Sequence, residues 1–337
     1  MMMKLVAGLG SVDEYIPYVQ AGADELFCGY VPDSFMYRFG ASHPLNRREV
    51  LYYNVQLGSF SELEILGKMI QQYHVPVTIT LNSPFYIPEQ YPAILDIIDR
   101  CRAIGFHSFI LADPALLLYL HQNGLTGCNL HVSGETAEAN HRMVEELRAL
   151  GAGRVIFHRK TEIRDMKTCI LRQTDLHPEA PLEYEAFALN EMCHFTGAFC
   201  NSLHCDELTH ICRVPYRLGR LHGALSEEQG GGTGTASTKD TGPETQPGSE
   251  VNCDFDGYLT GQSGCGLCAL WKLREAGLTH LKLVSRGNYE EDTIRDIRQL
   301  KNALTILDAS RSENEYQFNM KRHLFPSGPC SGQCYYR

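Results

Sequence analysis

Four cysteines lie within twenty residues of one another near the middle of the chain: Cys193, Cys200, Cys205 and Cys212. Because a reducing cytosol keeps disulfides rare, thiols gathered this closely favour a metal ion or an iron–sulfur cluster. Structural zinc sites usually pair cysteines two to four residues apart, and only Cys200 and Cys205 have that spacing. The wider gaps favour a cluster whose ligands come from several loops, with zinc and unligated thiols as the alternatives.

A second pair, Cys265 and Cys268, stands at the predicted start of a helix. The Cys-x2-Cys spacing suits metal ligands, and the N-terminus of a helix favours the thiolate form. The roles of four other cysteines stay open: Cys28, Cys253, Cys330 and Cys334.

The composition limits the class of protein. The chain has 337 residues, of which 43% are hydrophobic, so it can bury one large core or two modest ones. The net charge of −10 argues against a broad, non-specific nucleic-acid surface. No apolar run approaches the length of a membrane helix, and the first residues do not form a signal peptide. We therefore expect a cytoplasmic protein without a membrane span, and thirteen cysteines in that compartment favour metal binding over disulfides.

Strand and helix patterns alternate along the chain. Short apolar runs predict buried strands, and most of them are followed by an amphipathic helix. The predicted strands cover residues 4–7, 23–30, 75–82, 109–113, 129–135, 154–158, 182–189 and 280–287. This alternation predicts an α/β fold, a (β/α)8 TIM-like barrel. A doubly wound sheet is the competing fold, but no Gly-x-Gly-x-x-Gly sequence follows any strand.

The barrel pattern divides the chain into four segments. Residues 1–225 carry strands one to seven and the cysteine loop, and residues 226–250 are a low-complexity insertion rich in Gly, Ser and Thr. With almost no apolar residue, the insertion cannot offset its ordering entropy, so we expect it to be disordered. Residues 251–310 supply the cysteine hairpin, strand eight and a closing helix, and residues 311–337 form a C-terminal tail with Cys330 and Cys334.

Polar residues stand at the ends of several predicted strands. Asn82, Glu135 and His158 follow three different strands, and the loop that begins at Cys193 follows a fourth. In a barrel these ends converge on the C-terminal face, where barrel enzymes carry out their chemistry. This face is therefore the predicted active site.

Two adjacent arginines, Arg47 and Arg48, lie in a long irregular stretch between residues 32 and 57, close to two tyrosines. Such residues bind anionic or aromatic ligands through bidentate hydrogen bonds and stacking. A solvated pair of surface charges is the alternative interpretation.

Several motifs resemble those of the peptidase U32 family. Glu185-Ala-Phe187 on a buried strand, followed by Cys193 and Cys200, is similar to the family's strand and cysteine pair, and Cys212-Arg213 resembles its next cysteine. The resemblance extends in weaker motifs from about residue 22 to residue 286. The chain departs from the usual family pattern where Leu189-Asn190 replace His-Gly and where His158-Arg-Lys-Thr replace Arg-Glu-Leu-Ser.

The resemblance implies a [4Fe–4S] cluster. Its ligands would be Cys193, Cys200, Cys212 and Cys265, with Cys268 as the alternate for the fourth. A cluster offers redox chemistry or Lewis-acid activation, whereas a cysteine protease needs one thiolate beside a base.

The family also implies an activity, namely oxygen-independent hydroxylation of an aromatic ring or nucleobase, in RNA or a quinone-like acceptor, with prephenate as oxygen donor. The candidate catalytic residues are Glu135, His158 and Glu185, and the candidate substrate contacts are Arg47, Arg48, Asn82 and Arg154. A second subunit of the same family, or a homodimer, is the expected partner. Two alternatives stay open, a collagenase-like peptidase and a non-catalytic cluster-binding subunit.

Overall fold

The structure is a computed structural model that describes residues 3–40, 42–47, 55–136, 140–193, 200, 258–326 and 328–336. Across these residues eight parallel strands close into a barrel in chain order, and β1 pairs with β8. The strands are β1 (Lys4–Leu9), β2 (Glu25–Gly29), β3 (Val77–Leu81), β4 (Ser108–Leu111), β5 (Asn129–Val132), β6 (Ala152–Ile156), β7 (Glu183–Leu189) and β8 (His280–Leu283). The predicted (β/α)8 barrel is confirmed, and closure excludes the doubly wound sheet.

Helices surround the barrel in the described residues. They are α1 (Tyr15–Ala21), α2 (Asp33–Phe39), α3 (Phe60–Tyr73), α4 (Tyr91–Ala103), α5 (Pro114–Gln122), α6 (His141–Ala149), α7 (Ile163–Leu176), α8 (Leu270–Ala276), α9 (Glu290–Ala309) and α10 (Glu313–Leu324). Within this part of the chain, no helix is both long and apolar enough to cross a membrane.

Helix α3 shows how local sequence places a helix on the barrel. Ser59 caps it by accepting a hydrogen bond from the backbone N–H of Glu62, and the Glu62 carboxylate accepts from the N–H of Ser59 at 2.8 Å. Leu63 and Leu66 face the core. Gly67 allows close approach to α4, since a Cβ at this position would lie 2.6 Å from the carbonyl oxygen of Ile104.

Two helices lie where the sequence predicts none. Helix α2 occupies part of the stretch predicted as irregular, because Phe35 and Phe39 pack one turn apart with ring centroids 4.6 Å from each other. Helix α10 lies in the predicted tail and buries Tyr316 and Met320. The chain therefore returns to the barrel after α9.

Charged residues form a buried network inside the N-terminal half of the barrel. Arg154 on β6 donates to Glu25 on β2 at 2.8 Å and to Glu185 on β7 at 3.0 Å. Lys282 on β8 donates to Glu185 at 2.8 Å. Because β2 and β6 are not neighbours, the bond between Arg154 and Glu25 crosses the barrel interior.

An apolar layer lies above this network, towards the C-terminal ends of the strands. Phe187 is the next inward-facing position after Glu185 on β7, and Val284 is the next after Lys282 on β8, because alternate strand residues face the same side. The layer consists of Val6, Phe27, Ile110, Ile156, Phe187 and Val284. It separates the charged network from the barrel mouth.

Candidate functional site

One side of the barrel mouth is organised around Arg47. Its backbone N–H donates to Asn82 Oδ1 at 3.1 Å, just beyond β3. Its guanidinium donates to the carbonyl oxygen of Cys200 at 2.6 Å and pairs with the carboxylate of Glu135 at 3.4 Å. The structure therefore brings together four residues that the sequence predicts for the site: Arg47, Asn82, Glu135 and Cys200.

A polar chain leads from Asn82 to Gln56, which lies beside Gly29 together with Arg286. The N–H of Asn82 donates to Asn46 Oδ1 at 3.4 Å, and Asn46 Nδ2 donates to Gln56 Oε1 at 3.4 Å. Gly29 leaves room for both Gln56 and Arg286, because a Cβ there would lie 2.7 Å from Gln56 Oε1 and 3.0 Å from Arg286 Nη1. Arg286 thus extends over the top of β2. Its guanidinium carbon is 5.4 Å from the centre of the Phe27 ring in the apolar layer.

Arg159 is a second cation at the mouth. Its guanidinium carbon lies 3.7 Å from the centre of the Phe187 ring, and the residue is only 8% exposed. Among the described residues, its Nε has no hydrogen-bond partner and no carboxylate forms an ion pair with it. A buried guanidinium normally has an anionic or hydrogen-bonded partner, so the surroundings of Arg159 among the described residues are unusual.

The sequence prediction omits Arg159 and Arg286, although both belong to motifs that the comparison with the U32 pattern singles out. Arg159 belongs to the segment where the chain departs from the usual family pattern, and Arg286 closes the motif that begins at Lys282. Neither motif shows that the side chain lies over the mouth, because that depends on the register of β6 and β8.

His158 is buried just beyond β6, with 1% exposure. The backbone N–H of Lys160 donates to its Nδ1 at 3.2 Å. A neutral His158 ring therefore carries its proton on Nε2. His158 thus sits at the end of β6, as the sequence predicts.

Arg154 and Glu185 do not lie with these residues. Both belong to the charged network below the apolar layer, and Glu185 is fully buried. Burial raises the pKa of Glu185, but Lys282 and Arg154 outweigh it and lower the pKa to about 2. Burial and the charge of Arg154 lower the pKa of the neighbouring His131 to about 3, so His131 is neutral. Catalytic and substrate-binding roles for Glu185 and Arg154 stay predictions.

Of the four cysteines in the cysteine loop, the structure describes Cys193 and Cys200. Cys193 is half-buried and follows two residues with positive φ, Asn190 and Glu191 at 68° and 57°. Cys200 is buried beside Arg47, and neither cysteine forms a disulfide. The thiols of Cys193 and Cys200 are suitable ligands for an iron–sulfur cluster. Other predicted features fall outside the described residues: Arg48, Cys205, Cys212, Cys253 and the insertion at 226–250.

Cys265, the predicted fourth ligand, lies in a different group of thiols. Together with Cys268, Cys330 and Cys334 it lines a cavity of about 20 Å³. Burial raises the pKa of Cys265 to about 12, and burial also raises the pKa of Cys268. Among the described residues, no three His, Cys, Asp or Glu side chains already form a metal-binding arrangement.

Comparison with known proteins identifies the family. The family model described as Peptidase family U32 matches residues 10–327. The chain belongs to this family. The match extends beyond both ends of the region in which the sequence motifs resemble U32 proteins.

Solved structures similar to this U32 protein are distant in sequence. The U32 peptidase Mk0906 is 13% identical over 59% of this chain and 73% of its own, with a TM-score of 0.42. A putative dihydrodipicolinate synthetase from Pseudomonas aeruginosa is 8% identical over 96% of this chain and 82% of its own, with a TM-score of 0.46. No curated protein gives a significant match.

Proposed function

We propose that this U32 protein is an iron–sulfur enzyme that hydroxylates an aromatic ring or nucleobase without molecular oxygen, with prephenate as the oxygen donor. One observation carries the proposal: the mouth holds a buried guanidinium, that of Arg159, with no ion-pair partner among the described residues. Two further arginines, Arg47 and Arg286, border the same mouth. This arrangement favours a ligand that carries both a carboxylate and an unsaturated ring.

The chemistry of the mouth matches such a ligand on two sides. Below it, Phe27 and Phe187 belong to the apolar layer, against which a ring can pack. Above them, the guanidinium groups of Arg159 and Arg286 provide planar donors that match carboxylates bidentately. A dicarboxylate such as prephenate uses both kinds of contact. A peptide amide needs neither buried cation.

The cysteine loop would supply the redox group. Cys193, Cys200, Cys212 and Cys265, with Cys268 as the alternate for the fourth, would hold an iron–sulfur cluster, whose redox capacity suits oxygen transfer to an unactivated ring. Arg47 supports this assignment, since it binds the Cys200 carbonyl directly. Arg47 therefore connects Cys200 to the barrel mouth.

The remaining polar groups at the mouth suit positioning and proton handling. Glu135 holds the Arg47 guanidinium in place through their ion pair. His158, buried at the end of β6, is the candidate for proton transfer to or from a substrate oxygen. The apolar layer keeps water and the lower charged network away from this chemistry.

Ligand binding tests the anion site directly. Calorimetric titration of anaerobically purified protein with prephenate should show saturable binding, and Arg159→Gln should weaken it by about 10–100-fold, the loss expected for one charged hydrogen-bonding group. Arg142→Gln is the matched control, because Arg142 lies on α6 with its side chain 74% exposed. Equal binding by both variants would exclude Arg159 from the ligand site.

The reaction itself is tested in cells and with pure protein. Iron and sulfide counts should show a cluster, and deletion of the gene should remove a hydroxylated nucleoside or quinone from mass-spectrometric profiles. Cleavage of gelatin by the pure protein, abolished in Cys193→Ala while all hydroxylated species persist in the deletion strain, would establish the peptidase activity instead.

A further inference from the structure

Two short stretches of chain pair with each other beside the end of β7. Residues 189–192 run from the last residue of β7 towards Cys193, and residues 263–265 end at Cys265. We refer to the two stretches together as the neck. Cys193 and Cys265 are the first and fourth of the predicted cluster ligands. The pairing within the neck therefore sets the relative position of two thiols that lie far apart along the chain.

Backbone hydrogen bonds hold the two stretches of the neck together. The N–H of Asn190 donates to the carbonyl of Gly264 at 2.9 Å, and the N–H of Met192 donates to the carbonyl of Ser263 at 2.6 Å. An antiparallel bridge between the last residue of β7 and Cys265 precedes them. These backbone contacts fix the register of the neck, but they do not by themselves hold its bend.

The bend of the neck is an uncommon backbone conformation. Asn190 and Glu191 have φ angles of 68° and 57°, in the left-handed region that residues other than glycine rarely adopt. Two such residues in succession persist only where neighbouring groups hold them in place. Asn190 is 1% exposed, so the groups that hold its side chain are buried as well.

Asp296 on α9 holds the side chain of Asn190. It is fully buried, and its Oδ2 accepts a hydrogen bond from Asn190 Nδ2 at 2.6 Å. The same oxygen accepts a hydrogen bond from the hydroxyl of Tyr258. Asn190 belongs to the first stretch of the neck, and Tyr258 lies just before the second. One carboxylate oxygen thus binds the chain on both sides of the neck.

A second contact braces the backbone of the neck. The hydroxyl of Tyr335 donates to the carbonyl of Asn190, and the N–H of Tyr335 donates to the carbonyl of Cys265 at 2.8 Å. Gly264 has no room for a Cβ, because the Tyr335 ring packs against it. The backbone of Asn190 is therefore held from the segment after α10, and its amide side chain is held from α9.

We propose that Asp296 is a positioning residue that holds the neck, and with it Cys193 and Cys265, in the arrangement that the iron–sulfur cluster requires. This inference rests on the proposed function, since the cluster belongs to it. Asp296 acts through Asn190 and Tyr258 and is not itself a ligand. A carboxylate suits this role, because one oxygen can accept both hydrogen bonds and its charge strengthens each of them.

Replacement of Asp296 by leucine tests the positioning role. Leucine has a similar shape but no acceptor, so it leaves the Asn190 amide and the Tyr258 hydroxyl without this partner. Anaerobic reconstitution against a competing chelator should show iron binding about 10–100-fold weaker than in the wild-type protein, the loss expected when a residue that orients metal ligands is changed. Asp308→Leu is the matched control, because Asp308 lies on the same helix with its side chain 42% exposed. It should bind iron like the wild-type protein.

A conservative variant separates positioning from general stability. Asparagine keeps an oxygen that can accept both hydrogen bonds, so Asp296→Asn should restore most of the iron affinity that Asp296→Leu loses. Asn190→Gly makes the converse change, because glycine adopts the left-handed conformation easily but has no amide to reach Asp296. It should lose iron affinity as Asp296→Leu does. Full iron affinity in Asn190→Gly would show that only the bend matters and would overturn the proposal.

Hydrogen exchange provides a readout that needs no iron. In iron-free protein, the N–H groups of Asn190 and Met192 should exchange about 10–100-fold faster in Asp296→Leu than in Asp308→Leu, the change expected when hydrogen bonds to a charged group are lost. Equal exchange rates in the two variants would show that Asp296 does not hold the neck, even if Asp296→Leu unfolds at a lower urea concentration.

The positioning role and the proposed enzyme function can fail separately. If the wild-type protein binds iron and Asp296→Leu binds it equally well, the positioning role is wrong and the cluster stands. If the wild-type protein binds no iron, the proposed hydroxylase fails, and the exchange rates alone then decide whether Asp296 holds the neck.

Discussion

Replacement of Arg154 by methionine distinguishes a structural role from a substrate contact. Arg154 is 2% exposed and bonds two buried carboxylates, Glu25 and Glu185, together with the partly exposed Glu183. Methionine fills similar space but carries no charge, so Arg154→Met leaves Glu25 and Glu185 short of a partner in the barrel interior. Breaking a buried ion pair in this way costs about 3–5 kcal/mol.

The pKa of Glu185 supports this magnitude. In the folded protein it falls from 4.5 to about 2 despite burial, through Lys282 and Arg154. That difference corresponds to about 3 kcal/mol of stability. Because the folded pKa is depressed, the contribution is complete above pH 4.5 and is lost as the pH falls towards 2. The cost of Arg154→Met should therefore be largest at neutral pH and should shrink as acid protonates the carboxylates.

Urea unfolding of both proteins at several pH values measures this cost. Arg142→Met is the matched control, since Arg142 forms an exposed ion pair with Glu145 at 3.2 Å and its loss should cost less than about 1 kcal/mol. If Arg154→Met is no less stable than Arg142→Met but loses prephenate binding, Arg154 contacts the substrate, as the sequence predicts, and the structural interpretation fails.

Three other changes test separate parts of the molecule. Cys205→Ala should leave the iron content unchanged, whereas Cys200→Ser should lower it; an equal loss would make Cys205 a ligand. Deletion of residues 226–250, bridged by a short Gly-Ser linker, should keep soluble protein and its iron, because a segment with so few apolar residues adds little to a core; insoluble protein would show that the segment is structural. Burial raises the pKa of Asp296 from 3.8 to about 6, against hydrogen bonds from Tyr258 and Asn190 that lower it. Its stabilising contribution is thus complete below pH 3.8 and is lost as the pH rises through about 6, and Asp296→Asn should remove that loss in urea titrations; the same pH profile in both proteins would contradict this.

The alternation of strands and helices is readable from the sequence because it depends on local patterns. Apolar runs of strand length, amphipathic helices and glycines at their ends recur along the chain, and each is a property of neighbouring residues. Such patterns also locate strand ends, and so Asn82 and Glu135 were placed correctly at the C-terminal face. Their convergence on Arg47 follows from closure of the barrel.

The partners of a residue inside the barrel are not readable in the same way. Arg154 begins its predicted strand and Asn82 ends its own, but the sequence does not show that Arg154 reaches Glu25 across the barrel. That contact depends on strand register and stagger, which pair Arg154 with Glu183 and leave Phe187 above them. Hydrogen bonding between distant segments sets that register, and no local pattern encodes it.

Cys265 shows the same limit for cysteines that lie far apart along the chain. By itself the sequence determined that Cys265 and Cys268 are spaced as ligands, since spacing is a local property. Only the tertiary structure decided that their companions are Cys330 and Cys334, because helix α10 turns the chain back to the barrel and pairs the segment after it with the hairpin. More than sixty residues separate the two pairs along the chain. Packing of α10 through Tyr316, not the cysteine pattern, brings them together.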